Sequence, residues 1–572
     1  MGRTDLGIIH PLTQLRIASF YDQYAQSILE CCGRSNFSIR RPARIARTHS
    51  LNPLRAQPTH KIGIPHIQPE DGEIDISRIA SYFSYSRYNL LFKFYDSQEL
   101  LRLEKKFSIM RSLDVSKCFF NIYTHSVTWS VKGKPFAKLH RRAYSFESEF
   151  DRLMQSCNDS ETNGIVVGPE TSRIFAEIIF QDIDARVQER LLSDPKAPLV
   201  HDRDYAVRRY VDDFLVFASS DGSLDRVSAA IRDELREYKL FVNDRKTSTF
   251  SRPFVSQISL ARREIARSLQ ELTPLIEGIR NAGSEQDMSR LAESVSRAIW
   301  DTRLVVAKYS VGFYTVSGWL LSRLKSILRQ MTLAFNDRMP SGVRYAVFDS
   351  ILKVVQLVFY VCSLDLRVRT SYSLCQVATV LKKFLQHCSG DEVDQINQVF
   401  SGELAQLCSN VAGYGVADKA ESIELYNLLI CGAFFQGEDV LRQTGAVVAL
   451  RKIRRGGLRY FSYITCKFCY LKLAKRDVFV RRLNGIVQRE LLSDPGRVGR
   501  DAEAFLFFCE YLGAPDVKVS DKRKVFKAVV GGAPSNATID EVSRYVGFAD
   551  MEGIRIEHML KRKELRPAYA WS

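Results

Sequence analysis

The chain lacks an apolar run long enough and free enough of charge to span a bilayer, so no membrane segment is expected. Its first residues, Met1-Gly-Arg-Thr-Asp-Leu-Gly7, carry an acid and no extended apolar core, which reads against a secretory signal or a myristoylation site. The 12 cysteines follow no framework spacing, which argues against a disulfide scaffold and for a reducing, cytoplasmic compartment. Cys466-Lys-Phe-Cys469 has no second pair or nearby histidine to complete a zinc site, so both residues read as buried thiols. No strict repeat is present. No nucleophile elbow accompanies His125 or His140, so both histidines read as packing or hydrogen-bonding residues.

What the chain does have is positive charge. Over 572 residues, 82 Lys and Arg face 65 Asp and Glu, a net charge of +17. A surface this basic attracts polyanions through counterion release, which makes nucleic acid the leading partner class. The length and the 45% hydrophobic content suffice for two or more domains with a large core. Residues 1–255 mix strand and helix signals. Residues 256–572 are dominated by helical periodicity, punctuated by turns such as Gln436-Gly-Glu and Asp494-Pro-Gly. That half reads as an all-α domain, either a solenoid-like stack of helical pairs or a plain bundle.

One stretch stands apart. In Ala206-Val-Arg-Arg-Tyr-Val-Asp-Asp-Phe-Leu-Val-Phe-Ala218, two adjacent carboxylates sit between β-forming apolar runs, the pattern of a hairpin with Asp212-Asp213 at its tip. Alone, such a pair is also what a polar turn carries. A hard divalent cation gives it a chemical purpose, because Mg²⁺ takes carboxylate oxygens and leaves positions for phosphates. Upstream, Leu113-Asp114 reads as a strand end with a helix starting just after it. Between the two, Thr162-Asn163-Gly164 to Gly168-Pro169 reads as a loop, followed by a helix with Ile174, Phe175, Ile178, Ile179 and Ile183 on one side. Downstream, Asn243-Asp-Arg-Lys246 places a lysine in a polar turn.

These pieces, in this order, resemble motifs A to D of a reverse transcriptase palm. The runs Cys118-Phe-Phe-Asn-Ile-Tyr-Thr-His-Ser126, Thr162–Glu177 and Phe37-Ser-Ile-Arg-Arg-Pro42 are similar to bacterial reverse transcriptases of the abortive-infection and phage-defence type. The resemblance covers about residues 20–255. It implies an α+β fold, a right-hand polymerase fingers and palm over residues 1–255, followed by the helical domain over 256–572. It implies that Asp114 and Asp212 hold two Mg²⁺ ions, or Mn²⁺, with Asp213 supporting the site. Phe119, five positions after Asp114, matches the steric gate that selects deoxynucleotides, with Phe120 beside it. Gly164 and Pro169 fall where the nascent base pair packs, and Lys246 where a side chain approaches the triphosphate. Arg40 and Arg41 are the fingers residues expected at the triphosphate. Asn163-Gly164 replaces the common Gln-Gly, and Gly168-Pro169 the common Ser-Pro, departures compatible with the untemplated or protein-primed synthesis that the resemblance implies.

The implied enzyme is an RNA-directed DNA polymerase or DNA nucleotidyltransferase of antiphage defence in the bacterial cytoplasm. Its implied partners are dNTPs, a DNA product, a noncoding RNA and further copies of itself as a trimer or hexamer, without a membrane. An ordinary templated reverse transcriptase of retron or intron type, and an inactive nucleic-acid-binding scaffold, remain as alternatives.

Overall fold

The computed structural model describes residues 6–46, 79–88, 90–139, 145–280, 285–336, 339–413, 422–437, 450, 457–473, 476–549, 551 and 566–569. The chain divides into two compact units, residues 1–62, 73–255 and 564–572 in one, 63–72 and 256–563 in the other.

Two sheets organise the first unit. β1 (Pro42–Ile45) pairs antiparallel with β2 (Ile79–Tyr85). The second sheet contains β3 (Ile109–Asp114), β4 (Tyr205–Tyr210), β5 (Asp213–Ala218) and β6 (Ser248–Ser251), in the order β4-β5-β3-β6. All its pairings are antiparallel. β5 lies inside the sheet and is covered on both faces. Phe214, Val216 and Ala218 enter one core cluster, while Leu215 and Phe217 enter another. That is why Phe214–Ala218 is an unbroken apolar run rather than an alternating one. The helix Glu170–Leu192 crosses the larger of these clusters, and its buried face includes Ile174, Phe175, Ile178, Ile179 and Ile183. Burial also extends to Glu177, Gln181 and Asp184, so this helix is enclosed on more than the one side that its apolar residues predict.

The second unit is helical. Its helices pack largely on next-but-one neighbours. Glu285–Lys308 meets Ser341–Leu364, Ser317–Ala334 meets Val368–Phe384, and Val368–Phe384 meets Ile423–Gln436, which in turn meets Tyr460–Leu471. Ile423–Gln436 contributes to both core clusters of this unit, Leu428 and Cys431 to one and Leu425 and Leu429 to the other. Cys466 and Cys469 are buried in the second of these clusters.

Two expectations need correction. Ser341–Leu364 is long and apolar enough, by length and composition, to cross a membrane. Arg344, Asp349 and Lys353 punctuate its first half and mask this in the sequence. Here it is a core helix, with Val347, Ile351, Val354, Val358 and Cys362 buried, as expected of a helix that is apolar on most of its faces. The region after residue 256 is also not wholly helical. β7 (Arg566–Tyr569) pairs in parallel with β2 and belongs to the first unit. Its proline suits an edge strand, where no backbone donor is needed on the outer side.

Candidate active site

The acidic pair sits at a two-residue hairpin. Tyr210 pairs with Asp213, leaving Val211 and Asp212 as the loop. Val211 has φ +59°, left-handed for a β-branched residue, a conformation that costs energy and is kept only where surrounding contacts enforce it. β3 then brings Asp114 directly opposite Asp213. Residues paired this way project on the same face of a sheet, so the two carboxylates are cross-strand neighbours. The consequence is electrostatic. Burial first, then Asp212 and Asp114, push the Asp213 carboxyl up to about 7. Burial and Asp114 raise Asp212 as well, against the lowering pull of Lys246 and Arg209.

The polar turn after the helix Asp221–Glu237 closes on the same point. Asn243 donates its backbone N–H to the Asp114 carbonyl at 2.7 Å. Lys246 Nζ lies 3.2 Å from Asp114 Oδ1 and 3.1 Å from Oδ2. The structure therefore gathers Asp114, Asp212, Asp213 and Lys246 at one end of the sheet. Among the described residues, no group of three or more His, Cys, Asp or Glu side chains is placed to hold a metal ion as it stands. The donor chemistry nonetheless fits a hard divalent cation. Asp114 raises the proton affinity of Asp212, both raise that of Asp213, and a cation offsets that repulsion. Asp114 already carries one cation, the Lys246 ammonium.

Phe119 is half-buried against the palm core, and Phe120 is 49% exposed. Both are tied to the loop at 163–168. Ile165 donates to the Phe119 carbonyl at 2.8 Å, and Gly164 to the Ile122 carbonyl at 2.9 Å. Gly164 has φ +88°, and a Cβ there would lie 3.1 Å from the Phe120 carbonyl oxygen, so only glycine fits without strain. Pro169 is the N-cap of the helix Glu170–Leu192. A neighbour that sequence reasoning missed lies on this loop. Gly7 donates to the Val167 carbonyl at 3.1 Å, and Leu6 packs on Gly168.

The two fingers arginines part company. Arg40 is buried, its guanidinium 5.2 Å from the Tyr85 ring and 5.7 Å from that of Tyr210, the residue that begins the hairpin tip. A cavity of about 10 Å³, room for one water, is lined by Arg40, Tyr85, Arg173 and Val211. Arg41 instead turns to the C-terminal end of the helix Pro11–Cys31, where Nη1 donates to the Cys32 carbonyl at 3.2 Å. His125 pairs with Asp151 away from the carboxylates; His140 lies outside the described residues.

Arg209 is the other residue that sequence reasoning passed over. Its side chain is fully buried and donates to Glu177 at 2.9 and 3.0 Å and to Asp184 at 2.7 to 3.1 Å. A further donor, Nη1, reaches the Val211 carbonyl at 2.9 Å. The available signal was Glu177 and Asp184, seven residues apart and so on one face of an otherwise apolar helix, which calls for a buried cation.

Residues 47–277 match the family described as "Reverse transcriptase (RNA-dependent DNA polymerase)". No curated protein matches. Among solved structures, apo telomerase from Candida tropicalis is similar at 14% identity, with a TM-score of 0.25, over 55% of this chain and 56% of that one. A form of it truncated from its C-terminal domain is similar at 17% identity, TM-score 0.21, over 30% and 36%. The chain thus spans little more than a third to just over half of these telomerase chains. A circular tandem repeat protein with novel repeat topology is similar at 12% identity, TM-score 0.28, over 81% and 96%. On the family match, the chain carries a reverse transcriptase domain.

Proposed function

We propose that this protein is a DNA polymerase of the reverse transcriptase class that adds deoxynucleotides in bacterial antiphage defence, without a conventional template and with a protein hydroxyl as primer. The observation that carries the reading is the register of β3 on β5, which sets Asp114 against Asp213 beside the strained Val211–Asp212 turn. When bound, two divalent ions activate the primer hydroxyl and steady the triphosphate. The chain's own residues do the rest. Asp114, Asp212 and Asp213 supply hard oxygen donors. The Lys246 ammonium, held beside Asp114, would supply positive charge to the triphosphate. The Phe119 ring excludes a ribose 2′-hydroxyl, and Arg40 lends charge from behind Tyr210. Arg41, whose Nη1 donates to the Cys32 carbonyl, keeps further guanidinium donors that could reach the triphosphate.

Asn163-Gly164 and Gly168-Pro169 support untemplated synthesis, as does the Leu6–Gly7 segment lying over Val166–Gly168, where a template-side base would pack. Protein priming requires an accessible hydroxyl. Tyr345 is 72% exposed and meets that requirement, whereas Tyr463 and Tyr511 are fully buried. Antiphage action, a noncoding RNA partner, a trimeric or hexameric assembly and the bacterial cytoplasm rest on the motif resemblance alone. The test is to incubate the purified protein with Mg²⁺ and each deoxynucleotide separately, without template, and to treat the product with protease or nuclease. Protease-shifted DNA made without template is expected. Synthesis only on a supplied RNA, with matching sequence, would replace this reading with that of a templated reverse transcriptase.

A further inference from the structure

The helical unit contains a concavity that has no part in the acidic hairpin. It encloses about 880 Å³, within the range of small-molecule sites. Four helices wall it. Lys382 comes from Val368–Phe384, Asn397 and Ser401 from Gly390–Gly413, Phe434 from Ile423–Gln436, and Lys472 caps Tyr460–Leu471. Two ammonium groups thus enter one basin from different helices, with Asp394, exposed at the rim, the sole acid in the lining.

Lysines at helix C-termini are ordinary, because they offset the carbonyl end of the dipole. Lys382 does this, donating to the Phe435 carbonyl at 2.7 Å. Capping does not explain why both lysines share a basin with an aromatic floor. The Lys382 ammonium is 5.8 Å from the Phe434 ring, which is half-exposed, and the Lys472 ammonium is 5.2 Å from that of Phe468. Gln436, also in the lining, is fixed by donating to the Asn397 carbonyl at 2.7 Å and accepting from Ser401 Oγ at 2.5 Å. Partial burial, then the charge of Lys472, holds Lys382 below the usual lysine range. The basin therefore favours an anion, and the half-exposed ring beside it favours a flat base.

We propose that this basin binds a nucleoside phosphate, with the phosphate between Lys382 and Lys472 and the base against Phe434. The same chemistry is presented by a free nucleotide and by the end of a nucleic-acid strand. The site is separate from the carboxylates, so the proposal stands or falls independently of polymerase activity.

The test is equilibrium binding to the full-length protein in EDTA, on an Asp114→Asn/Asp212→Asn background. The probes are dATP, inorganic phosphate and a short 5′-phosphorylated single-stranded oligodeoxynucleotide. Lys382→Gln/Lys472→Gln should weaken dATP or oligonucleotide binding by at least about tenfold, the scale of one charged hydrogen bond. Tighter binding of dATP than of the oligonucleotide identifies the free nucleotide as occupant; the reverse identifies the strand. Binding unchanged by the two substitutions, or inorganic phosphate binding as tightly as dATP, would overturn the proposal. If loss of the Phe435 contact unfolds the double variant, Lys472→Gln alone carries the same expectation, with intact folding checked by circular dichroism.

Discussion

Arg209 donates from Nη1 to the carbonyl of Val211 at 2.9 Å, anchoring the strained residue of the hairpin tip to a guanidinium with no exposed surface. The same group neutralises Glu177 and Asp184. Arg209→Met should leave two buried carboxylates without a counter-charge, Glu177 keeping only the Gln181 amide, and cost roughly 3–5 kcal/mol in denaturant unfolding. Adding Glu177→Gln and Asp184→Asn to that variant should recover much of the loss. Equal stability of the single variant and wild type would show that the network does not hold the tip.

Asp213 gives the metal-free protein a pH signature. Its carboxyl is raised from 3.8 to about 7, so across that window the folded state holds a proton that the unfolded chain has released. Stability should therefore fall as pH rises through this range. Asp213→Asn should flatten that part of the curve in thermal melts. Mg²⁺ should raise the melting temperature most above pH 7, and its apparent affinity should drop roughly tenfold per pH unit below it, the slope of a one-proton competition.

Lys246 separates stability from activity. Its pairing with Asp114 is largely exposed, with 65% of the lysine side chain accessible. Lys246→Met should change unfolding free energy by less than about 1 kcal/mol, while lowering nucleotide incorporation. A large loss of stability with undiminished incorporation would assign the lysine a structural role.

Three glycines make a graded set. Gly164→Ala meets a left-handed φ and a backbone oxygen 3.1 Å from the new Cβ, and should cost about 1–3 kcal/mol. Gly7→Ala would place its Cβ 2.4 Å from Val166 Cγ1 and should displace the segment at residues 6–7 from the loop, read as faster exchange of the residue-7 amide than in wild type. Gly222→Ala, in a helix with nothing within 4 Å, should be neutral or stabilise by about 0.5–1 kcal/mol.

The hairpin was legible because β-branched and aromatic residues dominate both flanks of the acidic pair, and Asp114 because a short strand pattern ends there. The adjacency of Asp114 to Asp213 was not, since register across strands 99 residues apart depends on packing that no local pattern states. Arg209 was illegible for a related reason. Two adjacent arginines in a strand look solvated until the carboxylates of a distant helix are placed beneath one of them. β7 was hidden by its length of four residues and by a partner strand far upstream. Arg40 and Arg41 are neighbours of one type, yet they face different elements, which the local sequence does not state.

The most direct measurement is incorporation of labelled deoxynucleotides by the purified full-length protein in Mg²⁺, comparing wild type with Asp114→Asn and Asp212→Asn. Each variant is first shown by thermal melting to remain folded. Polymer should form with wild type, vanish with either variant and vanish on chelation. Undiminished synthesis by a folded Asp212→Asn protein would contradict the assignment of the hairpin tip as the metal-binding centre of a polymerase.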